Sequence, residues 1–281
     1  MTRNRPPVII CEINGGAGNQ IFQVSTGFCF ATQTQSKLVL DLIGCDSSTS
    51  YHGSWHLGIL VKEMQKEIKV SVLRSNSFYS KFTRKMMMLW FRPIRIKKEN
   101  IKSTYKNKTL LNNPRRYSYI PTIEDKFFGE EAIKLGFNVF FEKIKQNHSL
   151  TNNQTETVAV HIRRGNLTVS NALYKIFFVS DEWYLQKLKL FSESEYTFVC
   201  FTDSIDKNDL RNFSEYKFIV YGKELDPLEA IIRLSTFKYL VLSKSTFSFW
   251  AAALSEAKII ISPFENDYNH AHRPFNVTDV Y

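Results

Sequence analysis

Apolar residues in this chain gather into short runs separated by polar helical stretches, and the pattern is clearest in the second half. Val158–Ile162, Thr197–Thr202, Lys217–Tyr221, Tyr239–Ser243 and Lys258–Ser262 are nearly continuous in Val, Ile, Leu, Phe or Tyr. Runs of that kind predict strands buried on both faces, as in a parallel sheet. Between them, Asp181–Phe191, Asp206–Phe213, Pro227–Thr236 and Phe247–Glu256 carry helical periodicity. Several of these begin at or just after Asp or Thr, whose side-chain oxygens can accept from first-turn amides. The chain opens on the same grammar. A strand at Val8–Asn14 leads into the glycine turn 15–18. A helix from about Asn19 to Gln35 then turns Ile21, Phe22, Phe28 and Ala31 inward, and a strand follows at Lys37–Leu42.

Residues 44–150 carry a weaker pattern, with loops at Asn112-Asn113-Pro114 and Ile120-Pro121 and a helix over Glu130–Ile144. The polar run Gln146–Glu156 reads as a linker. The alternation of strand and helix predicts an α/β protein of two Rossmann-like, doubly wound units, residues 1–150 and 151–281, facing each other across a cleft.

The charge is uneven along the chain. Residues 1–150 hold 23 Lys/Arg against 11 Asp/Glu, whereas residues 151–281 hold 14 against 16. Most of the excess lies in 81–116, where 12 basic residues stand against the single acid Glu99. Apolar residues interleave there, including Met86–Phe91 and Ile94, Ile96 and Ile101. A basic, apolar stretch fits peripheral contact with an anionic membrane. A solvated basic loop beside a core-facing helix explains it equally well. Nucleic acid ranks third, because no nucleic-acid-binding motif accompanies it. No apolar run approaches the ~20 residues of a membrane span, and the N-terminus lacks a secretory leader. Four scattered cysteines without Cys-x-x-Cys spacing suggest free thiols. The expected location is the cytoplasm, on the inner face of the plasma membrane if the basic segment docks there.

Three strand ends carry candidate chemistry. The first is Val158–Asn166, a strand ending in His161, Arg163, Arg164 and Gly165. Arginine's planar fork matches phosphate oxygens, and glycine lets the backbone approach them. An ordinary strand followed by solvated arginines is the competing explanation. The second is Gly15-Gly16-Ala17-Gly18-Asn19-Gln20, which lacks the Gly-Lys-Ser/Thr ending of a P-loop and the spacing of the dinucleotide fingerprint. Its first-turn amides and Asn19 suit an anion or a sugar hydroxyl. The third, Ser243–Trp250, places hydroxyls and amides at a helix start, which suits phosphate or serves simply as a cap. Asp203 ends another strand, where it could read a base or ribose or cap the helix at Asp206. Neither an Asp-x-Asp clamp nor a zinc spacing of histidines occurs, so no metal site is expected.

Taken in order, Gly15–Gln23, His161-Ile162-Arg163-Arg164-Gly165-Asn166 and Ser243–Ala252 resemble the motifs of the α-1,2-fucosyltransferase family (bacterial galactoside 2-α-L-fucosyltransferases). The resemblance is strongest over 8–42 and 158–262. It implies a GT-B architecture and inverting transfer of L-fucose from GDP-β-L-fucose to the 2-hydroxyl of a galactose-terminated glycan, which is lipid-linked in one version of the reading. No metal or other cofactor is required. By that likeness Arg163 and Asn19 are the catalytic positions, with Arg163 on the departing β-phosphate. Gly16, Gly18, His161, Arg164, Gly165, Asp203, Ser245, Thr246 and Phe247 bind the donor, Asp203 through guanosine. The chain departs from the motifs at Asn166, where the family has Asp, and at Lys244, where it has Asn.

Overall fold

The computed structural model describes residues 6–45, 54–73, 94–97, 100–106, 117–121, 156–165, 167, 177–192, 194–204, 206–221 and 223–263, with isolated positions between 82 and 146. The chain divides into two units, Met1–Ile144 and Lys145–Tyr281. The division thus falls a few residues before the polar run that reads as a linker. Asn166, most of the basic segment 81–116 and most of Glu130–Ile144 lie outside the described residues.

In the first unit, β1 (Val8–Asn14) is followed by α1 (Ala17–Thr34), β2 (Lys37–Gly44), α2 (Gly58–Met64), β3 (Val70–Leu73), β4 (Ile94–Arg95), α3 (Ile101–Lys106) and β5 (Tyr117–Ile120). The strands form one parallel sheet in the order β3-β2-β1-β5-β4. Helix α1 packs closely on it because position 27 is glycine. A Cβ there would meet Leu38 Cδ1 at 2.8 Å and Cys11 Cβ at 3.2 Å.

The second unit runs β6 (Thr157–Ile162), α4 (Asp181–Leu188), β7 (Thr197–Thr202), a 3-10 helix (Lys207–Phe213), β8 (Lys217–Val220), α5 (Pro227–Leu234), β9 (Tyr239–Val241), α6 (Thr246–Ala253) and β10 (Ile259–Ile261). Its parallel sheet has the order β10-β9-β6-β7-β8. The expected helix from Asp206 is therefore a tighter 3-10 turn. Val158, Val160 and Ile162 share one face of β6 and pack with Tyr184, Leu188, Phe191 and Phe213. Ala159 and His161 point to the other face, by the two-residue alternation of a strand. Ser180, Asp226 and Ser245 cap α4, α5 and α6 through their side-chain oxygens, the arrangement that unpaired first-turn amides require.

Both units are thus Rossmann-like α/β sheets, the composition a GT-B protein is assembled from. In each sheet the first strand is central and the chain winds outward to one side before crossing to the other. Such reversals, between β6 and β9 and between β1 and β5, are where open α/β sheets hold ligands, beyond the carboxyl ends of the strands.

Candidate active site

At the reversal in the second unit, β6 ends on Arg163-Arg164-Gly165 and its neighbour β9 leads through Ser243 into α6. His161 holds these two tips together. It is fully buried, with Nδ1 within 2.6 Å of Ser248 Oγ and 2.8 Å of Ser243 Oγ, and Nε2 within 2.9 Å of Tyr221 Oη. Its ring stacks on Phe247, which stacks in turn on Tyr221. Burial, then the charge of Arg163, pushes its pKa down to about 3, so the imidazole is neutral at physiological pH. Ser248 Oγ also accepts the Ser243 amide, and Ser245 Oγ accepts the Ser248 amide. The serine-rich stretch after β9 therefore folds around the imidazole. This fixes where α6 starts relative to β6.

The two adjacent arginines have opposite fates. Arg164 is buried, and its guanidinium donates to Asp181 at the start of α4 and to the Arg163 carbonyl. The ring of Phe178 lies 4.5 Å from its Cζ, and Asn212 donates to the other Asp181 oxygen. Removing one partner of so buried a pair strands a charge. Arg163 is only half-buried, with its Cζ 5.3 Å from the Phe177 ring centre.

Asp203, at the end of β7, closes the turn after β6. Its Oδ1 accepts the amides of Arg164 at 2.7 Å and Gly165 at 2.9 Å. Gly165 is obligatory in this turn, since a Cβ there would lie 2.9 Å from both Asp203 Cγ and the Asp203 carbonyl oxygen. Asp203 is half-buried, and Oδ2 takes no hydrogen bond among the described residues.

Three of the expected donor positions are engaged within the protein. His161, Arg164 and Ser245 do not present free polar groups to a nucleotide. His161 has both nitrogens occupied by buried hydroxyls, Arg164 is committed to Asp181, and the Ser245 hydroxyl caps α6. Their hydrogen bonds tie β6 to the starts of α4 and α6. Asp203 also has a first duty to the backbone, through Oδ1 alone. Arg163, Gly165, Thr246 and the Phe247 amide remain at the edge of the site, the amides in the first turn of α6 where a helix attracts anions. Ser243, Ser248, Tyr221 and Asp181 were not singled out from sequence. The signal available for the serines was their spacing of two and five residues around a helix start.

The glycine turn of the first unit sits at the carboxyl end of β1. Gly15 adopts φ +74°, and a Cβ there would fall 2.9 Å from Asn19 Nδ2. Gly16 caps α1 in extended conformation, Gly18 is buried within the helix, and Asn19 is half-buried beside the turn. Gln23 accepts the Asn14 amide at 2.8 Å, tying the strand end to the helix. Among the described residues, no group of three or more His, Cys, Asp or Glu could hold a metal ion. None of the four cysteines forms a disulfide, and all are buried.

The chain is similar to known glycosyltransferases over most of its length. It is 25% identical to an alpha-1,2-colitosyltransferase of Escherichia coli over 277 residues, covering 91% of each chain. Among solved structures, the fucosyltransferase NodZ from Bradyrhizobium is 14% identical over 90% of this chain and 93% of its own, with a TM-score of 0.48. POFUT1 in complex with GDP-fucose is 11% identical over 89% of this chain and 94% of its own, with a TM-score of 0.45. The sequence profile of glycosyl transferase family 11 matches residues 64–273, a span that includes both the Arg163 and Ser245 motifs. On that match the chain belongs to glycosyl transferase family 11, as the resemblance of its motifs implied.

Proposed function

We propose that this glycosyltransferase moves L-fucose from GDP-β-L-fucose onto the 2-hydroxyl of a terminal galactose, with inversion and without a metal ion. The acceptor is a surface glycan of the O-antigen or capsule type, or its lipid-linked precursor. One observation carries the reading: the half-buried Arg163 and the first-turn amides of α6 stand on adjacent strand tips at the switch point of the second unit. As the bond from fucose C1 to the β-phosphate oxygen breaks, negative charge grows on the departing GDP. Fixed cationic and amide dipoles stabilise such charge without reorganisation. The galactose O2 then bonds to C1 from the opposite face and its proton is lost to solvent. In this reading Asp203 Oδ2 accepts from guanosine, and Asn19 is the catalytic position contributed by the first unit.

The α-1,2 linkage in the name of the colitosyltransferase relative supports the 2-hydroxyl. The same name favours a second reading, in which a different GDP-linked deoxysugar is the donor. Incubation with GDP-fucose and Galβ1,3GalNAc or Galβ1,3GlcNAc separates them. A fucosylated disaccharide is expected. Product from another GDP-sugar alone supports the second reading, and donor binding without any product refutes both.

The basic segment 81–116 completes the proposal by docking the enzyme on the cytoplasmic face of an anionic membrane. Phe82 and Leu89 within it are exposed, as an interfacial contact requires. At low salt the protein is expected to co-sediment with anionic vesicles and not with neutral ones. Equal recovery on both would count against docking.

A further inference from the structure

Gln20, the residue that follows Asn19 in the glycine motif, is fully buried and its amide is spent on backbone. Nε2 donates to the Gly15 carbonyl at 2.8 Å and to the Ser54 carbonyl at 2.6 Å, while Oε1 accepts the His56 amide at 3.1 Å. One side chain thereby fastens the loop 54–56 against the glycine turn. The turn directly follows β1, and the loop comes ten residues after the end of β2, the strand paired with β1. Leu57 is fully buried and anchors the far side of the loop. A rigid support therefore holds Trp55, the residue between the two pinned positions.

Trp55 is only half-buried. Its indole Nε1 lies against position 58, where glycine leaves room: a Cβ at Gly58 would meet it at 3.8 Å. A half-exposed indole in a flexible loop would mean little. An indole whose two sequence neighbours are pinned to the glycine turn at the carboxyl end of β1 is a built surface. Indoles present a large flat apolar face with a polar edge, and carbohydrate pockets combine such faces with a few convergent polar groups. Galactose matches this surface because its axial 4-hydroxyl clears one face of the ring of polar groups.

We infer that Trp55, positioned by Gln20 beside the Gly15–Asn19 turn, is the stacking wall of the acceptor subsite and takes a β-galactopyranoside. The inference rests on the proposed transfer to a galactosyl acceptor and adds the residue that recognises it. The proposed contacts to guanosine and the diphosphate lie in the second unit, so loss of an acceptor wall in the first separates from them by mutation.

The test compares wild type with Trp55→Ala and Trp55→Phe, each first shown to melt at the wild-type temperature. With saturating GDP-fucose and varied Galβ1,3GalNAc, Trp55→Ala is expected to raise the acceptor KM by about tenfold or more. The KM for GDP-fucose should stay within about twofold, and Trp55→Phe should recover most of the acceptor affinity. An unchanged acceptor KM in Trp55→Ala, or an equal rise in both KM values, overturns the assignment. Saturation-transfer NMR of methyl β-galactoside on the GDP-loaded protein gives a readout independent of turnover. Signal in wild type that is lost in Trp55→Ala supports the subsite even if no transfer occurs, in which case the functional reading alone fails. Equal signals in both proteins overturn the subsite while leaving the transfer reaction intact.

Discussion

Replacing His161 with glutamine should flatten the pH dependence of stability in the second unit, and the size of the effect follows from burial. The imidazole is wholly enclosed, and its pKa is lowered from 6.5 to about 3. Between those values the unfolded chain binds a proton that the folded chain refuses, so stability is present above pH 6.5 and is lost as pH falls through that value toward 3. One titrating group changes stability by about 1.4 kcal/mol per pH unit once well below its unfolded pKa. From pH 7 to pH 5 the loss attributable to His161 is about 2 kcal/mol. Glutamine does not titrate and retains a donor and an acceptor for part of the hydroxyl cage. Native-state hydrogen exchange of the β6 amides, corrected for intrinsic rate, reads the opening of this unit without interference from the first. The wild type should lose about 2 kcal/mol more than His161→Gln between pH 7 and 5. Parallel curves would refute a neutral, buried His161.

Three further outcomes follow from the same geometry. Arg163→Ala should lower kcat by about two to three orders of magnitude while leaving the melting temperature nearly unchanged, because a half-open guanidinium contributes to charge stabilisation more than to folding; steady-state kinetics with GDP-fucose check it. Asp203→Ala should cost about 2–3 kcal/mol in urea unfolding, since two backbone amides lose a charged acceptor, whereas Asp203→Asn keeps an oxygen there and should cost under about 1 kcal/mol. Gly15→Ala should destabilise the first unit by about 1–2 kcal/mol through its left-handed backbone and the contact with Asn19, measured by differential scanning calorimetry.

The elements legible in the sequence were those built from uninterrupted apolar runs. β6 and β9 are buried at every position, and β1 and β2 at most of their described positions, so nearly every residue there had to be apolar. β5, Tyr-Ser-Tyr-Ile, buries a serine and one of its tyrosines and ends on an Ile120-Pro121 pair that reads as loop, while β4 is two residues within a basic run. β3 is only four residues long. At the site, the motifs pointed to particular strand tips but did not reveal side-chain direction. Arg163 and Arg164 are consecutive, yet one stays half-buried beside Phe177 and the other is buried against Asp181, which lies 17 residues away in sequence. Likewise His161 reads as a ligand-facing residue until Ser248, 87 positions later, closes over its ring. Such pairings depend on helix α4 and helix α6 packing beside β6, which local pattern does not encode.

The central claim is that the second unit grips a nucleotide's diphosphate between Arg163 and the N-terminus of α6. A crystal structure with GDP bound tests it most directly. The account predicts phosphate oxygens within hydrogen-bonding distance of the Arg163 guanidinium and the Thr246 and Phe247 amides, with His161 still sealed beneath them. Well-ordered GDP elsewhere on the protein, with Arg163 unengaged, would contradict it.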